Sequence, residues 1–551
     1  MYQEANAELL SIGIQGLDEI LGGGLTPNRI YLVEGEPGAG KTTTGLQFLR
    51  EGVQRGESVV YISLAENSEE LAAVAASHGW DLEGIHVHEV LPDENLLAGN
   101  EQYTMFHASE VEMADTLRNI LGFIEYRQPS RVVLDSLTEL QMLADWPLRY
   151  LRQVLALKQF FSKRRCTVLL LDDRTASASG DLQVRSIAHG VLQLDHSVKD
   201  YGAERRRLRV VKYRGRKILG GLHDYNLTRG GLVVHPRLVA AETRTIEGRA
   251  QWSSGLPELD ALLGGGIEEG TSTLVVGPPG TGKSSLAAQL VCAATTRGQS
   301  ASIFLFEESA SNMLHRADGL NQPLRAAIDA DLLRVQQIDP AELSPGQFAQ
   351  AVREAVSRGV KVLVIDSLNG YLNAVPDERF LTTYLHELLT YLGQHSVLTV
   401  LVGVQQGMLG GNMSSAMDAS YVADNVLMLR YFEDDGHVRE AISVFKKRGG
   451  RHERSIRSFS MTPQGIQVGE ILRGYRGLLT GVPVQVGRGP HDAAQRWNAA
   501  FSSRRPSGRM ASCPSACWPP TGSTRTCARL PLNCWRNWAR GPAVSWSRRK
   551  R

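Results

Sequence analysis

Two glycine-rich segments of the sequence have the residue types and spacing that bind phosphate groups. They read Gly-Glu-Pro-Gly-Ala-Gly-Lys-Thr over residues 35–42 and Gly-Pro-Pro-Gly-Thr-Gly-Lys-Ser over residues 277–284. Each segment follows an apolar run and precedes a helical pattern, which is the context that this motif requires. Glycines allow backbone N–H groups to surround phosphate oxygens, and the helix N-terminus adds positive potential. The expected ATP-binding residues are Gly35, Gly38, Gly40, Lys41, Thr42, Gly277, Gly280, Gly282, Lys283 and Ser284.

A second pair of motifs places an aspartate at the end of an apolar strand. Asp135 ends Val-Val-Leu-Asp and Asp366 ends Leu-Val-Ile-Asp. In P-loop proteins a carboxylate at this position holds Mg²⁺ together with the hydroxyl that follows the P-loop lysine. A strand-end aspartate is often only a helix cap, but the P-loop upstream favours the metal role here. The predicted Mg²⁺ ligands are therefore Thr42 and Asp135, and Ser284 and Asp366.

Glutamates follow the strand after each P-loop helix, at Glu66 in the first half of the chain and at Glu307 and Glu308 in the second. A carboxylate there can orient or deprotonate the nucleophile that attacks the γ-phosphate. A solvated loop glutamate is the ordinary alternative, and the matching register favours catalysis. At the end of the fourth strand, Gln405-Gln406 could sense the γ-phosphate where the first half has Asp172-Asp173.

Two Lys-x-Arg-Gly segments lie far in sequence from the P-loops, and they predict a pair of cations on one face of a strand. They contain Lys212 with Arg214, and Lys446 with Arg448, and Lys447 adds a further cation in the second. A basic run is usually only a solvated strand. The spacing supports instead an arginine-finger role, which we expect to act on the ATP of a neighbouring subunit.

These motifs occur twice because the chain contains a repeat. Residues 13–24 return as residues 255–266, and the same offset of 242 residues relates the two P-loops. Apolar strands alternate with helical patterns in each copy, which predicts an α/β fold with a mainly parallel sheet flanked by helices. The predicted strands are 29–33, 58–64, 131–134, 167–171, 272–276, 300–306, 361–365 and 397–404, with edge hairpins at 208–213 and 441–445.

Length and composition fit this organisation. The 551 residues are 42% hydrophobic and 21% charged, which is ordinary for a soluble globular protein and excludes a fibrous or wholly disordered one. The apolar runs are too short to span a bilayer, and the first residues lack the features of an export signal. Only Cys166 and Cys292 lie before residue 487. We therefore expect a cytoplasmic protein without disulfides or a membrane partner.

The C-terminal segment differs from the rest of the chain. Residues 487–551 contain thirteen Lys and Arg residues and one acidic residue, whereas the preceding 486 residues hold 47 basic and 57 acidic ones. The acidic body makes nucleic acid an unexpected partner. The spacing of Cys513, Cys517, Cys527 and Cys534 fits no standard zinc pattern. A nucleic-acid tail is one interpretation, and we favour an irregular basic tail produced by out-of-frame translation.

The motifs quoted above, in this order and duplicated, resemble the KaiC family of RecA-like ATPases, the family of the circadian clock protein. The resemblance covers roughly residues 8–483. It implies two tandem RecA-like P-loop NTPase domains, which we expect at 1–240 and 241–483, followed by the tail at 484–551. It further implies a homohexamer with ATP and Mg²⁺ at subunit interfaces, in which the first ring is an ATPase and the second an autokinase.

The family phosphorylates a Ser/Thr pair just before the strand that leads to the second Lys-x-Arg-Gly segment. Here Ser420 matches the serine and Tyr421 replaces the threonine, and Glu307 matches the proposed base. The predicted function is therefore a signalling ATPase with Ser/Thr autokinase activity and unknown signalling partners. Two alternatives use the same core: a DNA-dependent motor of the recombinase or helicase type, and an ATP-gated scaffold.

Overall fold

A computed structural model describes residues 9–90, 108–144, 146–174, 181–198, 202–239, 250–374, 378–404, 419–478 and 484–485. Contacts group residues Met1–Val486 into one unit, and this unit contains two nine-stranded sheets, one for each copy of the repeat. Apart from residues 484–485, the predicted tail lies outside the described residues. We call the two copies the first and the second domain.

The first domain alternates strands with helices up to its sixth strand and ends in a meander. Its strands are β1 Ile30–Gly35, β2 Val59–Ser63, β3 Ile85–Glu89, β4 Arg131–Asp135, β5 Thr167–Asp173, β6 Gly190–Ser197, β7 Arg205–Tyr213, β8 Leu222–Thr228 and β9 Gly231–His235. Its helices are α1 Leu17–Ile20, α2 Lys41–Gln54, α3 Ser68–Ser77, α4 Ala108–Arg127, α5 Leu137–Met142, α6 Pro147–Lys163 and α7 Asp181–Ile187.

The second domain repeats this order after a short hairpin. Its strands are β10 Gln251–Trp252, β11 Ile267–Glu268, β12 Ser272–Gly277, β13 Ala301–Leu305, β14 Leu333–Gln337, β15 Val362–Asp366, β16 Leu398–Val404, β17 Asn425–Asp434, β18 His437–Lys447, β19 Ile456–Thr462, β20 Gly465–Ile471, β21 Tyr475–Arg476 and β22 Val484–Gln485. Its helices are α8 Pro257–Leu262, α9 Lys283–Thr296, α10 Ala310–Gly319, α11 Leu324–Asp329, α12 Pro345–Ser357, α13 Leu368–Ala374 and α14 Glu378–Gln394, with a 3₁₀ turn at Ala419–Tyr421.

The two large sheets have the same topology. The first has the order β3-β2-β4-β5-β1-β6-β7-β8-β9 and the second the order β14-β13-β15-β16-β12-β17-β18-β19-β20. In each, the first six strands are parallel and the last three antiparallel. The prediction of two tandem RecA-like domains with mainly parallel sheets is confirmed.

Both faces of each sheet are buried, and the alternation of side chains along β1 shows how. Tyr31 and Val33 pack into one hydrophobic cluster with α2, whereas Ile30 and Leu32 pack into a second cluster with α4 and α6. A strand that is buried on both faces reads as a continuous apolar run. This burial holds β1, and with it the P-loop at its carboxyl end, at the centre of the domain.

The predicted core strands occur in the structure with ends that differ by at most two residues, and the predicted edge hairpins occur with longer strands, β7 and β18. The edge strands β3 and β14 were not predicted. β3 alternates Ile-His-Val-His-Glu, and only Ile85 in it is buried. An edge strand has a neighbouring strand on one side only and here buries few side chains. Its sequence therefore has too few apolar residues to predict a strand.

The two domains contact each other through polar groups at the first domain's C-terminal meander. The Asp224 carboxylate accepts the Gly346 N–H at the start of α12, 2.7 Å away. Arg205 donates to the Leu343 carbonyl at 2.9 Å. Outside the meander, Glu19 of α1 pairs with Arg353 at 3.0 Å. Among the helices of the described segments, none is long and apolar enough to cross a membrane.

Candidate functional site

The first P-loop connects β1 to α2 at the carboxyl end of the central strand, where parallel α/β sheets bind their ligands. Gly38 and Gly40 have φ angles of 78° and 93°, a conformation that L side chains rarely adopt. The Lys41 ammonium lies over the loop, 2.9 Å from the Gly35 carbonyl and 3.1 Å from the Glu36 carbonyl. It also forms an ion pair with Asp173 Oδ1 at 2.5 Å.

The second P-loop has the same backbone and different surroundings. Gly280 and Gly282 have φ angles of 83° and 87°, and Lys283 donates to the Pro278 carbonyl at 2.7 Å. Burial lowers the pKa of Lys283, while the charges of Asp366 and Glu307 raise it. Among the described residues, no carboxylate oxygen lies within 4 Å of the Lys283 ammonium. The two P-loop lysines therefore differ in their partners.

The predicted metal ligands lie together in both domains. Thr42 Oγ1 donates to Asp135 Oδ2 at 3.1 Å, and the Ser284 side chain lies close enough to Asp366 to lower the pKa of that carboxyl. Burial raises the pKa of both aspartates, and these hydroxyl groups oppose that shift. A cation beside a buried carboxylate would favour its ionised form.

This donor set fits Mg²⁺. The ion prefers oxygen ligands and is commonly held by one or two carboxylates, waters and substrate phosphates rather than by an all-protein cage. Each site offers one carboxylate and one hydroxyl beside a P-loop. Within the described segments no cluster of three or more His, Cys, Asp or Glu side chains could hold a metal, and the P-loop arrangement does not require one.

Tyr61 is a site residue that the sequence reasoning missed. Its hydroxyl donates to Asp135 Oδ2 at 2.5 Å, so the carboxylate is held from two sides. Tyr61 is the third residue of an apolar strand and reads there as an ordinary core residue. Only its register opposite β4, where Ser63 is the partner of Asp135, would have pointed to the metal site.

The glutamates occupy equivalent positions in the two domains. Leu64 N–H donates to the Asp135 carbonyl and Phe306 N–H to the Asp366 carbonyl, both at 2.7 Å, which places Glu66 and Glu308 in the same register. Glu66 is partly buried, and its Oε2 has no hydrogen-bond partner among the described residues. Burial raises its pKa, and the negative charges of Asp135 and Glu70 raise it further.

The second-domain glutamates are arranged differently. Glu308 forms an ion pair with Arg316 of α10. Glu307 is exposed, and its charge acts on both Lys283 and Asp366. The charges of both glutamates act on Asp366, whereas only Glu308 has an arginine partner.

The four predicted cations do not lie at the P-loop of their own domain. Lys212 donates to the carbonyls of Arg185, Ser186 and Ala188 at 2.6–2.9 Å, and Arg214 donates to Ser186. The Arg214 N–H donates to the His189 carbonyl, and the His189 N–H donates to the Ile30 carbonyl. Arg214 therefore lies beside the start of β1. The P-loop begins at the other end of that strand, roughly 16 Å away at ~3.3 Å per residue.

The same arrangement recurs in the second domain and includes the candidate phosphoacceptor. Lys446 donates to the carbonyls of Ser420 and Ala423 at 2.8 and 2.7 Å, and to that of Tyr421 at 3.3 Å. Arg448 donates to the Tyr421 carbonyl at 2.5 Å. Lys447 turns away and donates to the Leu263 carbonyl at 2.6 Å. Ser420 and the cation pair therefore lie together.

The alignment of Gln405-Gln406 with Asp172-Asp173 at the end of the fourth strand needs correction. Gly35 pairs with Asp173 and Gly277 with Val404, so the counterpart of Asp173 is Val404 and not a glutamine. Two hydrogen bonds support the same correspondence. The Asp173 N–H donates to the Thr138 side chain, and the Val404 N–H donates to the Asn369 side chain. Sheet pairing sets this register, and the alignment from the sequence was displaced from it by two residues. Gln405 and Gln406 lie outside the described residues.

Two P-loops at the carboxyl ends of parallel sheets, each beside a buried strand-end aspartate, define a tandem P-loop ATPase. The family model described as "ATPase: KaiC" matches residues 10–239 and 252–473. The chain therefore belongs to the KaiC family of ATPases.

Curated relatives agree with this assignment. The chain is 25% identical over 480 residues to the circadian clock oscillator protein KaiC of Acaryochloris marina, covering 86% of this chain and 91% of the relative. It is 25% identical over 484 residues to the circadian clock protein KaiC3 of Synechocystis sp., covering 87% and 95%. The KaiC of Synechococcus elongatus is 25% identical over 483 residues, covering 86% and 91%.

Proposed function

We propose that this KaiC-family ATPase uses Mg²⁺ and ATP in both domains and phosphorylates its own Ser420 in the second, as a signalling protein. The main support for this proposal is a site that occurs in both domains. In each, a P-loop lysine, a hydroxyl and a buried aspartate meet at the carboxyl end of a central strand. Bound Mg-ATP supplies a γ-phosphoryl group whose transfer requires mainly positioning and neutralised charge. Lys41 and Lys283 neutralise phosphate charge, and the N–H groups of each loop orient it.

In the first domain the chain's own residues suit hydrolysis. Glu66 accepts the proton of the attacking water at Oε2, the oxygen that has no hydrogen-bond partner in the described part of the chain. Its raised pKa brings it closer to the working pH, where a general base is most effective. Tyr61 and Thr42 hold Asp135 in place for the Mg²⁺ hydration shell.

In the second domain we assign the base to Glu307. Glu308 is engaged by Arg316, whereas Glu307 is exposed beside the P-loop lysine. Glu307 would take the proton from a serine hydroxyl placed in line with the γ-phosphate. Because Ser420 lies with Lys446 at the opposite end of the sheet from its own P-loop, the nucleotide that it meets must belong to another subunit.

This geometry supports a closed homo-oligomer, which we propose is a hexamer. A head-to-tail interface would bring Lys212 and Arg214 of one subunit, and Lys446 and Arg448, to the P-loops of the next. Light scattering with a saturating non-hydrolysable ATP analogue should report a hexamer and, without nucleotide, smaller species. A monomer under saturating analogue would contradict both the hexamer and the action of the cations across subunits.

The first domain has an arginine at the position of Ser420, and its Ser186 is the counterpart of Tyr421. Lys212 and Lys446 bind equivalent carbonyls, which pairs Arg185 with Ser420. The Arg185 guanidinium binds the buried carboxylate of Glu34 through two hydrogen bonds of 2.8 and 2.6 Å. This supports our assignment of autokinase activity to the second domain alone.

The autokinase proposal is tested by mapping phosphosites after incubation with Mg-ATP. Wild-type protein should acquire stable phosphate on Ser420, and Ser420→Ala should eliminate most of the label. Glu307→Gln should slow its incorporation while nucleotide binding persists, and Tyr421→Phe is the matched control that removes the adjacent hydroxyl. If the wild type acquires no stable phosphate, the second domain is a plain ATPase.

The alternative functions give different outcomes in one assay. A DNA-dependent motor would show ATP hydrolysis strongly stimulated by single-stranded DNA, and a scaffold would bind ATP with little turnover. We expect measurable hydrolysis without stimulation, because the body of the chain is acidic. A chain that ends at Val486, which keeps the β21–β22 pairing, should retain hydrolysis and assembly if the basic tail is dispensable.

A further inference from the structure

The P-loop lysine of the first domain already has an anionic partner supplied by the chain. Lys41 Nζ lies 2.5 Å from Asp173 Oδ1, and the two side chains are 9% and 32% exposed. Asp173 is the last residue of β5 and pairs with Gly35, the first glycine of the loop. Its backbone is anchored by a bond from its N–H to Thr138 Oγ1 at 3.2 Å. The carboxylate is therefore held where a phosphate would meet the lysine.

The second domain lacks this carboxylate. Val404 occupies the corresponding position, opposite Gly277, and its N–H is anchored in the same way to Asn369 Oδ1 at 3.1 Å. The backbone is thus equivalent in the two domains, and the difference lies in the side chain. Lys283 contacts only the loop carbonyl of Pro278 within the described hydrogen bonds.

From this contrast we infer that Asp173 is a specificity-determining residue that weakens triphosphate binding in the first domain. The inference rests on the proposed ATP binding at both P-loops. To bind nucleotide, Lys41 must exchange Asp173 for phosphate oxygens, and the displaced carboxylate then stays close to the phosphates. Like charges at short distance repel, most strongly where water is partly excluded.

The repulsion also depends on the length of the phosphate chain. A P-loop lysine reaches the β- and γ-phosphates, so the carboxylate that pairs with it lies nearest the γ-phosphate. ATP should therefore lose more affinity than ADP from the presence of Asp173. The first domain is expected to discriminate less in favour of ATP than the second domain does.

Equilibrium binding of fluorescent mant-ATP and mant-ADP, each with Mg²⁺, tests this in the full chain. Lys283→Ala limits binding to the first site, and in that background Asp173→Asn should tighten mant-ATP binding about tenfold, equivalent to ~1.4 kcal/mol, and mant-ADP binding less. Asp173→Val, which copies the second domain, should act in the same direction. Asp329→Asn removes the same charge from an exposed position of the second domain and should change neither affinity.

The reciprocal exchange gives an independent result if the first-domain variants fold poorly. In the Lys41→Ala background, Val404→Asp should weaken mant-ATP binding at the second site more than mant-ADP binding. If the Lys283→Ala parent binds nucleotide but Asp173→Asn leaves its affinities unchanged or weaker, this inference is wrong and the proposed ATP binding stands. A parent that binds no nucleotide overturns both.

Discussion

The two P-loop sites of this chain share a backbone and differ in how their charged groups are paired. In the first domain the P-loop lysine is engaged by Asp173, and Glu66 Oε2 has no hydrogen-bond partner among the residues that the structure describes. In the second domain the glutamate Glu308 is engaged by Arg316, and within the described segments Lys283 forms no ion pair with a carboxylate. Duplication has therefore kept the phosphate-binding geometry and redistributed the ion pairs around it.

The contrast suggests a division of work between the domains. An unpartnered, partly buried glutamate is suited to accept a proton from water, whereas a glutamate held by an arginine is a weaker base. The difference extends to the metal site, because Tyr61 supports Asp135 in the first domain. Its counterpart at the same offset is Ile303, an apolar residue of β13 that cannot donate a hydrogen bond.

The largest expected effect is the difference in lost ATP hydrolysis between substitutions of Glu66 and of Glu308. In the Lys283→Ala background, Glu66→Gln should slow ATP hydrolysis ~10²–10⁴-fold, because it removes a general base, while mant-ATP still binds. In the Lys41→Ala background, Glu308→Gln should slow hydrolysis less, since Arg316 already engages that carboxylate. Single-site phosphate release measures both, and equal losses would contradict the division proposed above.

The pH profile of the first site follows from the same carboxylate. Glu66 must be ionised to act as a base, and burial raises its pKa. First-site hydrolysis should therefore fall on acidification at a higher pH than an ordinary glutamate would give. Glu66→Gln should remove this acid limb from the residual rate. An acid limb that persists unchanged in the variant would assign it to another group.

The P-loop lysines should act independently of each other. Lys41→Ala should weaken nucleotide binding at the first site about 100-fold, as expected for loss of charge-assisted hydrogen bonds, and leave the second site occupied. Lys283→Ala should do the converse. Counting bound nucleotide at equilibrium checks this, and Lys217→Ala, which alters an exposed lysine, is the control. A substitution that empties both sites would show that they are coupled.

Releasing Glu308 should make the second site more like the first. Arg316→Ala removes the partner of Glu308 and is expected to raise hydrolysis about tenfold in the Lys41→Ala background, which corresponds to ~1.4 kcal/mol of barrier. Arg325→Ala breaks an exposed pair with Asp318 at 2.9 Å and should leave the rate unchanged. A lower rate in Arg316→Ala would assign the arginine a direct role at the phosphates.

The smallest expected effect concerns the metal carboxylate. Tyr61→Phe removes the hydrogen bond to Asp135 and should lower the free energy of unfolding by about 1 kcal/mol. Denaturant unfolding of the nucleotide-free chain measures it, with Tyr126→Phe as the control because that side chain is 80% exposed. An unchanged midpoint for Tyr61→Phe would mean that Thr42 alone is sufficient to hold the carboxylate.

Much of the architecture was predictable because it rests on local patterns. Both P-loops, both strand-end aspartates and the buried core strands depend on short motifs and apolar runs, and these are visible without any long-range contact. The edge strands β3 and β14 were not predictable in this way. Their side chains are mostly exposed or intermediate, so their pairing depends on the neighbouring strand rather than on their own sequence.

The sequence by itself determined that there are two P-loops and which lysines and strand-end aspartates lie at them, because the P-loop is a continuous segment whose glycines and lysine are fixed by spacing. Only the tertiary structure decided which side chains surround those lysines. Asp173, Tyr61 and Arg316 come from different elements, and sheet register places them at the site. Asp173 and Val404 occupy equivalent register positions, so a difference in one side chain exchanges a carboxylate for methyl groups while leaving the motif unchanged.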